Sequence, residues 1–371
     1  MHDVDPASLA PLVAWGGFGI AFVFGFVGNR TNFCTMGAVS DVVNMGDWNR
    51  MRMWLLAIGV AILGANALEL AGVIKLSNSI YQTPNFTWLS YLVGGFLFGG
   101  GMTLGSGCGA KTLIRIGGGN LKSLVVLVFM AIAAYMTLRG LFGVFRVSVL
   151  ETASVQLAGR QDVPSLAARA LGADRRSMQI VATLVLGGGL ALFALAEREF
   201  REFDRLLGGF VVGLVIVAGW YVSGKVGYVA EDPNTLQEAF VATNTGRMES
   251  LSFVAPQAFL LELLMFWTDK SRIVTFGIAA VLGVMAGSLA YALVSKTFRW
   301  ESFRDARDLR RHIAGGILMG FGGVVALGCT VGQGITGFST LALGSIITFL
   351  AIVAGAAATM KYEYWRMLRE A

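Results

Sequence analysis

Three cysteines stand where chemistry is possible: Cys34, Cys108 and Cys329 each end an apolar stretch and are followed by small or polar residues. No two of them have the CxxC spacing of a redox pair, and the two histidines add no metal-ligand spacing. A neutral thiol is a small, polarizable group with a weak S–H donor. It can point that donor at a soft sulfur atom and still release it, so thiols in series suit a conduit for a sulfur-terminated anion. We therefore predict substrate binding without a metal or a cofactor.

The loops around these cysteines add further candidate contacts. Glycine next to cysteine permits backbone conformations closed to other residues and lets a ligand touch the main chain. A helix that begins just after such a loop directs free N–H groups and a positive dipole end at the site, which suits an anion. The predicted substrate-binding residues are Cys34, Cys108, Cys329, Gly107, Gly109, Gly328, Thr330 and Gln333.

Alternative interpretations stay open for several of these residues. A lone cysteine in a membrane helix is most often a small buried hydrophobic residue, and this interpretation fits Cys34 in particular. Thr330 and Gln333 are equally well explained as groups that satisfy broken backbone. Lys111 and Arg115 are interpreted as charges at the inner membrane surface, not as ligands.

The composition requires that most of the molecular surface faces lipid. Of the 371 residues, 55% are hydrophobic and only 14% are charged, whereas soluble domains carry about 25% charged residues. The 49 glycines are typical of closely packed membrane helices. The net charge of +6 comes from basic residues in short loops, so we interpret it as a topology signal and predict no nucleic-acid partner. The first thirteen residues contain no Lys or Arg, so the first apolar stretch is predicted to stay in the mature protein.

Nine apolar stretches approach the roughly 20 residues that a helix needs to cross a bilayer. A tenth, 253–267, is short and interrupted by Pro256. The shorter apolar pieces after each cysteine are predicted to be re-entrant half-helices, which a membrane tolerates where protein or a polar cavity surrounds them. The predicted fold is all-α, with about nine transmembrane helices plus half-helices. The predicted spans are 14–29, 53–74, 88–107, 121–138, 178–197, 207–223, 273–294, 313–328 and 341–360.

An internal repeat relates the two halves of the chain. The segment from Gly94 to Cys108 has the same length as that from Gly315 to Cys329, and both end in Gly-Cys. A weaker match places Cys34 near Val254, so the predicted pathway is asymmetric in its thiols, with Cys34 toward one mouth. Identical residues recur at Gly94/Gly315, Gly95/Gly316, Leu97/Leu318, Gly99/Gly320, Gly101/Gly322, Gly107/Gly328 and Cys108/Cys329.

The number of spans predicts that the second half is inverted in the membrane. Four spans per unit plus one linking span reverse the second unit, a frequent plan among transporters with a substrate site at the midplane. An outer N-terminus and a cytoplasmic C-terminus place most of the 29 Lys and Arg inside. The predicted parts are 1–140, a first membrane repeat; 141–177, a polar connecting segment; 178–205, a linking transmembrane helix; and 206–371, a second membrane repeat. The basic segment 139–176 lies outside in this topology and has no predicted role.

These motifs together resemble the YeeE/YedE family of membrane proteins. The resemblance is carried by the Cys34 segment and by 94–120, 208–224 and 311–345, and it extends over most of the chain. It implies an hourglass-shaped, pseudo-symmetric protein of the bacterial inner membrane that takes up thiosulfate. It also implies that Cys34, Cys108 and Cys329 contact thiosulfate through S–H···S hydrogen bonds, and that a soluble TusA-like sulfur-carrier protein is a cytoplasmic partner.

Other functions remain to be weighed against thiosulfate import. The family also has members linked to selenium metabolism, so sulfite, sulfide or a selenium analogue stays open as the substrate. A membrane-bound persulfide-transfer enzyme would need a thiolate of lowered pKa, and these loops lack an adjacent base apart from Lys111. A third alternative is an assembly partner with inert cysteines. We predict a transporter and not an enzyme.

Overall fold

The computed structural model describes residues 6–232 and 236–370, and its regular structure is almost entirely helical. The only strands among these residues are two short antiparallel pairs, β1 (Asn85–Phe86) with β2 (Val155–Gln156) and β3 (Tyr228–Val229) with β4 (Ala239–Phe240). The helices are α1 (Pro6–Arg30), α2 (Thr35–Met45), α3 (Asn49–Leu70), α4 (Trp88–Leu104), α5 (Gly109–Gly117), α6 (Leu121–Arg139), α7 (Leu141–Phe145), α8 (Val163–Leu171), α9 (Arg175–Ala182), α10 (Gly189–Ala196), α11 (Phe203–Tyr221), α12 (Ala255–Met265), α13 (Phe276–Val294), α14 (Ala306–Val325) and α15 (Leu343–Glu370). The predicted all-α fold is confirmed.

Wider and tighter helical turns continue several of these helices. Thr183–Gly188 joins α9 to α10 as a π-helical stretch, so that 175–196 forms one continuous span. The other π-helical segments are Arg146–Leu150 after α7, Val222–Val226 after α11 and Gly332–Gly337 before α15; the 3₁₀ turns are Leu76–Asn78 and Glu199–Arg201.

Helices lie at all nine predicted spans. Among the described residues, seven helical stretches are long and apolar enough to cross a membrane by themselves. The other two are α4, which has 17 residues, and α14, whose first turns carry several charges. Both pack against other spans inside the bundle, so the chain is a multi-pass membrane protein.

The connections between helices gather at two ends of the bundle. At one end, which we call the β end, the pairing of β1 with β2 and a bridge between Ser79 and Met248 join the connections before α4, after α6 and after α11. At the opposite end, Leu121 N donates to Glu301 O at 2.9 Å and joins the connections before α6 and after α13. The chain therefore alternates between two faces, as a membrane protein with short loops must.

Each long helix of one half packs along a long helix of the other half. Helix α1 packs along α13 and α11 packs along α3, while α4 packs along α15 and α6 along α14; α4 and α14 also contact each other. Glycines permit these contacts, because a Cβ on Gly287 would collide with the Phe22 carbonyl and one on Gly99 with the Ile352 carbonyl. Helix backbones thus touch directly around the centre of the molecule.

Candidate functional site

Four short helices begin inside this bundle. Cys34 immediately precedes α2, Cys108 precedes α5, Val254 precedes α12, and Cys329 precedes a helix over 330–339. The three cysteines are buried and free of disulfide bonds. The predicted half-helices after the cysteines are present, and α12 supplies a fourth, with Val254 at the place where the weaker sequence match put the counterpart of Cys34.

Contacts join the starts of these helices into one cluster. Thr35 Oγ1 lies 3.9 Å from Cys108 Sγ and links α2 to α5. Phe253 N donates to Cys329 Sγ at 3.3 Å and links α12 to the helix over 330–339. A Cβ on Gly109 would lie 2.8 Å from Phe253 O, so the start of α5 also touches the start of α12. The structure thus brings the predicted cysteines together at the centre of the bundle.

The sulfur atoms of Cys34 and Cys329 act as caps for their own helices. Gly37 N donates to Cys34 Sγ at 3.4 Å, and Gly332 N donates to Cys329 Sγ at 3.3 Å. Each contact satisfies one of the N–H groups that a helix leaves open at its start. Because the backbone engages the acceptor side of these thiols, the S–H hydrogen is left to address a ligand. Cys108 caps no backbone group of α5.

Thr330 and Gln333 carry buried polar atoms without partners in the described part of the chain. The Thr330 hydroxyl lies beside the Cys108 side chain, its polar neighbour, without a hydrogen bond of good geometry among the described residues. The Gln333 amide nitrogen donates to Ala326 O at the end of α14, while its Oε1 is buried and unpaired. A buried polar atom without a partner costs about 1–3 kcal/mol. Gln333 therefore satisfies broken backbone with its amide nitrogen, while its amide oxygen has no hydrogen bond among the described residues.

The backbone of the two matched loops turns one residue earlier than expected. Ser106 has φ 57° and Leu327 has φ 58°, whereas Gly107, Gly109 and Gly328 have no positive φ. The expectation that glycine supplies the unusual conformation beside each cysteine is therefore wrong. At Gly109 the reason for glycine is space, because of the close approach of the Phe253 carbonyl.

Lys111 is not a charge at the membrane surface, and that interpretation is wrong. Its side chain is buried and its Nζ lies 2.5 Å from Asn32 Oδ1, two residues before Cys34. The first turn of α5 is buried on all sides, so a basic residue there points into protein. Arg115, one turn later, is half-buried. The structure therefore places a buried basic side chain next to the cysteine cluster.

Two polar residues of the cluster were missed from the sequence. Gln257 follows Val254 by one turn of α12; its Nε2 donates to Phe253 O at 2.6 Å, and its Oε1 is buried and unpaired. Ser252 lies beside Cys329. A signal for Gln257 existed, because it is a polar residue one turn after the position that matches Cys34.

A cavity connects this cluster with the β end. Its volume is about 140 Å³, and its lining includes Tyr81, Ser252 and Gly328, next to Cys329. Sites for drug-sized ligands have volumes of about 300–1,000 Å³, so this space fits a small ligand only. No group of His, Cys, Asp and Glu that could hold a metal ion occurs in the parts of the chain that the structure describes.

Comparison with known proteins adds to this geometry. The sequence pattern of a family described as sulphur transport matches residues 30–358. The chain belongs to the sulphur transport family. The predicted resemblance to the YeeE/YedE family and the predicted class, a membrane transporter and not an enzyme, are confirmed.

Two relatives of this family member cover most of its length. The thiosulfate transporter TsuA of Escherichia coli (strain K12) is 29% identical over 325 residues, which are 84% of this chain and 84% of that protein. The thiosulfate transporter TsuA of Spirochaeta thermophila is 24% identical over 356 residues, which are 92% of this chain and 96% of that protein. The similarity thus spans both halves of the bundle.

Proposed function

We propose that this protein imports thiosulfate across the bacterial inner membrane through the central cysteine cluster. The observation that carries this proposal is the meeting of three buried thiols at the starts of short helices, in a chain of the sulphur transport family. The two relatives named as thiosulfate transporters support thiosulfate as the substrate.

The site can attract an anion and still release it. Short helices that start at the cluster direct N–H groups and positive dipole ends toward its centre, which favours negative charge. The S–H groups of Cys329, Cys108 and Cys34 then donate weak hydrogen bonds to the terminal sulfur one after another. Thr330 and Gln333 contribute polar atoms from the same place. Gly107 and Gly328 place main chain without a side chain next to the thiols, and Gly109 does so while making room for the Phe253 carbonyl.

The two halves act as inverted repeats in this proposal, with 1–140 and 206–371 as the repeats, 178–205 as the linking helix and 141–177 as the connecting segment. The exchanged packing of α1 on α13 with α11 on α3, and of α4 on α15 with α6 on α14, supports it. Two units related by a two-fold axis in the membrane plane pack in this way. Cys108 and Cys329 then approach the midplane from opposite faces.

The β end is the outer face in this proposal, with the N-terminus outside and the C-terminus cytoplasmic. The basic residues at the start of α14 and in the last turns of α15 support this orientation, because Lys and Arg accumulate on the cytoplasmic side. A soluble TusA-like sulfur-carrier protein is the proposed partner at the cytoplasmic end.

Uptake of labelled thiosulfate tests the proposal directly. Cells without other sulfate and thiosulfate routes should grow on thiosulfate when they carry this gene. Cys108→Ala and Cys329→Ala should lower uptake by at least about 10-fold, because each variant removes one S–H donor from the series that the anion is proposed to contact. The matched control is Ser302→Ala, an equally small change at an exposed position, which should transport normally. Membrane levels of each variant are compared by immunoblot.

Different outcomes of this experiment test the identity of the anion and the role of the thiols. Uptake of labelled thiosulfate that sulfite or a selenium analogue inhibits more strongly than unlabelled thiosulfate does would replace thiosulfate as the substrate. Normal uptake by both cysteine variants would overturn the role of the thiols.

A further inference from the structure

The basic connecting segment is held across the β end of the bundle. Its β2 pairs with β1 of the loop before α4. Further along, Leu343 N at the start of α15 donates to Gln161 O at 2.9 Å, and Val163 N donates to Leu341 O at 2.9 Å. The segment is therefore tied by backbone hydrogen bonds to both halves, including the turn that follows the helix over 330–339.

The first part of this segment packs against α14. The rings of Phe142 and Phe145 lie 5.8 and 6.3 Å, centroid to centroid, from the ring of Phe321. Arg146 follows at once and begins the π-helical stretch that continues α7. Aromatic packing on α14, the helix that leads to Cys329, thus sets the position of Arg146.

Arg146 lines the same cavity as Ser252 and Gly328, the neighbours of Cys329. Its side chain is 18% exposed, and its Nε lies 3.2 Å from Glu151 Oε1. The two side chains form an ion pair. The approach lacks hydrogen-bond alignment, so Nε is a buried donor without a hydrogen bond among the described residues. The Arg146 guanidinium can therefore donate N–H hydrogen bonds to a ligand in the cavity.

One carboxylate also lines the cavity. Glu249 accepts hydrogen bonds from Thr245 N at 2.9 Å and from Thr245 Oγ1 at 2.7 Å. Burial raises the pKa of Glu249, which these hydrogen bonds partly oppose. The carboxylate is thus already engaged, and no ion pair between it and Arg146 forms among the described residues. The phenol of Tyr81 is the remaining titratable group of the lining.

We propose that Arg146 is the entry residue of the pathway and binds the thiosulfate oxygens in the cavity before the anion reaches Cys329. The inference rests on the proposed function and deepens it. Neutral thiols supply only weak contacts, so they do not concentrate a dilute anion. A guanidinium at the entrance attracts it over distance and can donate two parallel hydrogen bonds to sulfonate-type oxygens. This gives the connecting segment a role in transport.

Kinetics of thiosulfate uptake by proteoliposomes that contain the full chain test this role. Arg146→Gln should raise KM by about 10-fold, the loss of one hydrogen bond to a charged group, with little change in the maximal rate. Arg146→Lys keeps the charge and should raise KM by only about 3-fold. The matched control is Arg176→Gln, which removes an exposed arginine in α9 and should leave KM unchanged.

Salt provides a second readout that a structural defect would not reproduce. The wild-type KM should rise as ionic strength increases, because salt screens the attraction, and Arg146→Gln should flatten this dependence. If Arg146→Gln does not accumulate, Arg146→Lys carries the test through its raised KM and its retained salt dependence.

Failure of this role and failure of the proposed function give different results. Uptake that depends on Cys329 but has the same KM in Arg146→Gln and Arg176→Gln would overturn the role of Arg146 alone; so would an unchanged KM in Arg146→Lys when Arg146→Gln does not accumulate. A wild-type protein that takes up no thiosulfate would overturn the proposed function.

Discussion

Each thiol of the central cluster is oriented by the groups that approach its sulfur. Backbone N–H groups reach Cys34 and Cys329, and the Thr35 hydroxyl faces Cys108. A thiol has weak acceptor sites and a single donor, so occupied acceptors leave the donor as its useful group. The same geometry stabilises the helix starts at Cys34 and Cys329, so a variant at either of these residues changes both a cap and a contact.

Thr330 separates binding from stability better than the cysteines do. Thr330→Val removes a buried hydroxyl without a hydrogen bond at nearly constant volume. The free energy of unfolding should therefore stay equal or rise by up to about 1 kcal/mol. If the hydroxyl contacts the anion, the KM for thiosulfate should rise several-fold. The control is Thr359→Val, whose hydroxyl donates to Gly355 O at 2.9 Å and should leave KM unchanged. A stable Thr330→Val protein with normal KM would exclude Thr330 as a ligand.

Lys111 is expected to support anion binding through its buried charge. Lys111→Met keeps the length of the side chain but removes the ammonium and leaves Asn32 Oδ1 without its donor. Thiosulfate uptake should fall by about 10-fold or more, since an ion contact inside the membrane is weakly screened. Lys75→Met makes the same change at an exposed position and serves as the control. Equal uptake by the two variants would contradict this role.

At the scale of helices, the bundle depends on backbones that touch. Glycines at the contacts between α1 and α13 and between α4 and α15 leave no space for a Cβ. Close packing between helices is a main source of stability where water supplies no hydrophobic drive. The repeated Gly-rich motif therefore serves helix packing as well as the cysteine loops.

A pair of glycine variants tests this packing. Gly287→Ala places a methyl group against the Phe22 carbonyl and should lower the free energy of unfolding by about 1–3 kcal/mol. Gly19→Ala lies on the other helix of the same pair, where a Cβ meets nothing within 4 Å, and should be neutral or stabilising by up to about 1 kcal/mol. Thermal unfolding in detergent measures both. A Gly287→Ala protein as stable as Gly19→Ala would show that α1 and α13 can separate freely.

At the scale of the whole molecule, two sets of connections define two faces. The strand pairs, the connecting segment and the cavity that leads to Cys329 share the β end. The Arg30–Asp204 ion pair at 3.0 Å and the Lys122–Asp308 ion pair at 2.8 Å lie among the connections of the opposite end. The half-helix α5 ends at the opposite end, where Arg299 N donates to Gly118 O, and the helix over 330–339 ends at the β end, where Leu343 N donates to Gln161 O.

Labelling of introduced thiols in intact cells tests the orientation. Thr152→Cys places a thiol at the β end and Ser302→Cys places one at the opposite end, both at exposed positions. The three native cysteines are buried and give little background. A membrane-impermeant maleimide should label the first variant in intact cells and the second only after lysis. The reverse result would invert the proposed topology.

Much of this architecture could be predicted because the bilayer imposes simple rules. A span needs about 20 apolar residues, so nine stretches stood out, and the equal spacing from Gly94 to Cys108 and from Gly315 to Cys329 revealed the related loops. The start of α14 was predicted too late, because hydropathy falls in its charged first turns while the helix continues. The matched loops also predicted that Cys108 and Cys329 lie at one centre, which the structure shows.

Only the tertiary structure decided which polar groups share the centre. Lys111 reaches Asn32, Gln257 joins the cluster from α12, and Arg146 enters the cavity beside Cys329. The partners of these residues are distant in sequence, and their burial depends on how helices from two halves pack. Local hydropathy and residue spacing do not predict such contacts. The sequence by itself determined the spans and the thiols, and the packing of the helices decided what surrounds them.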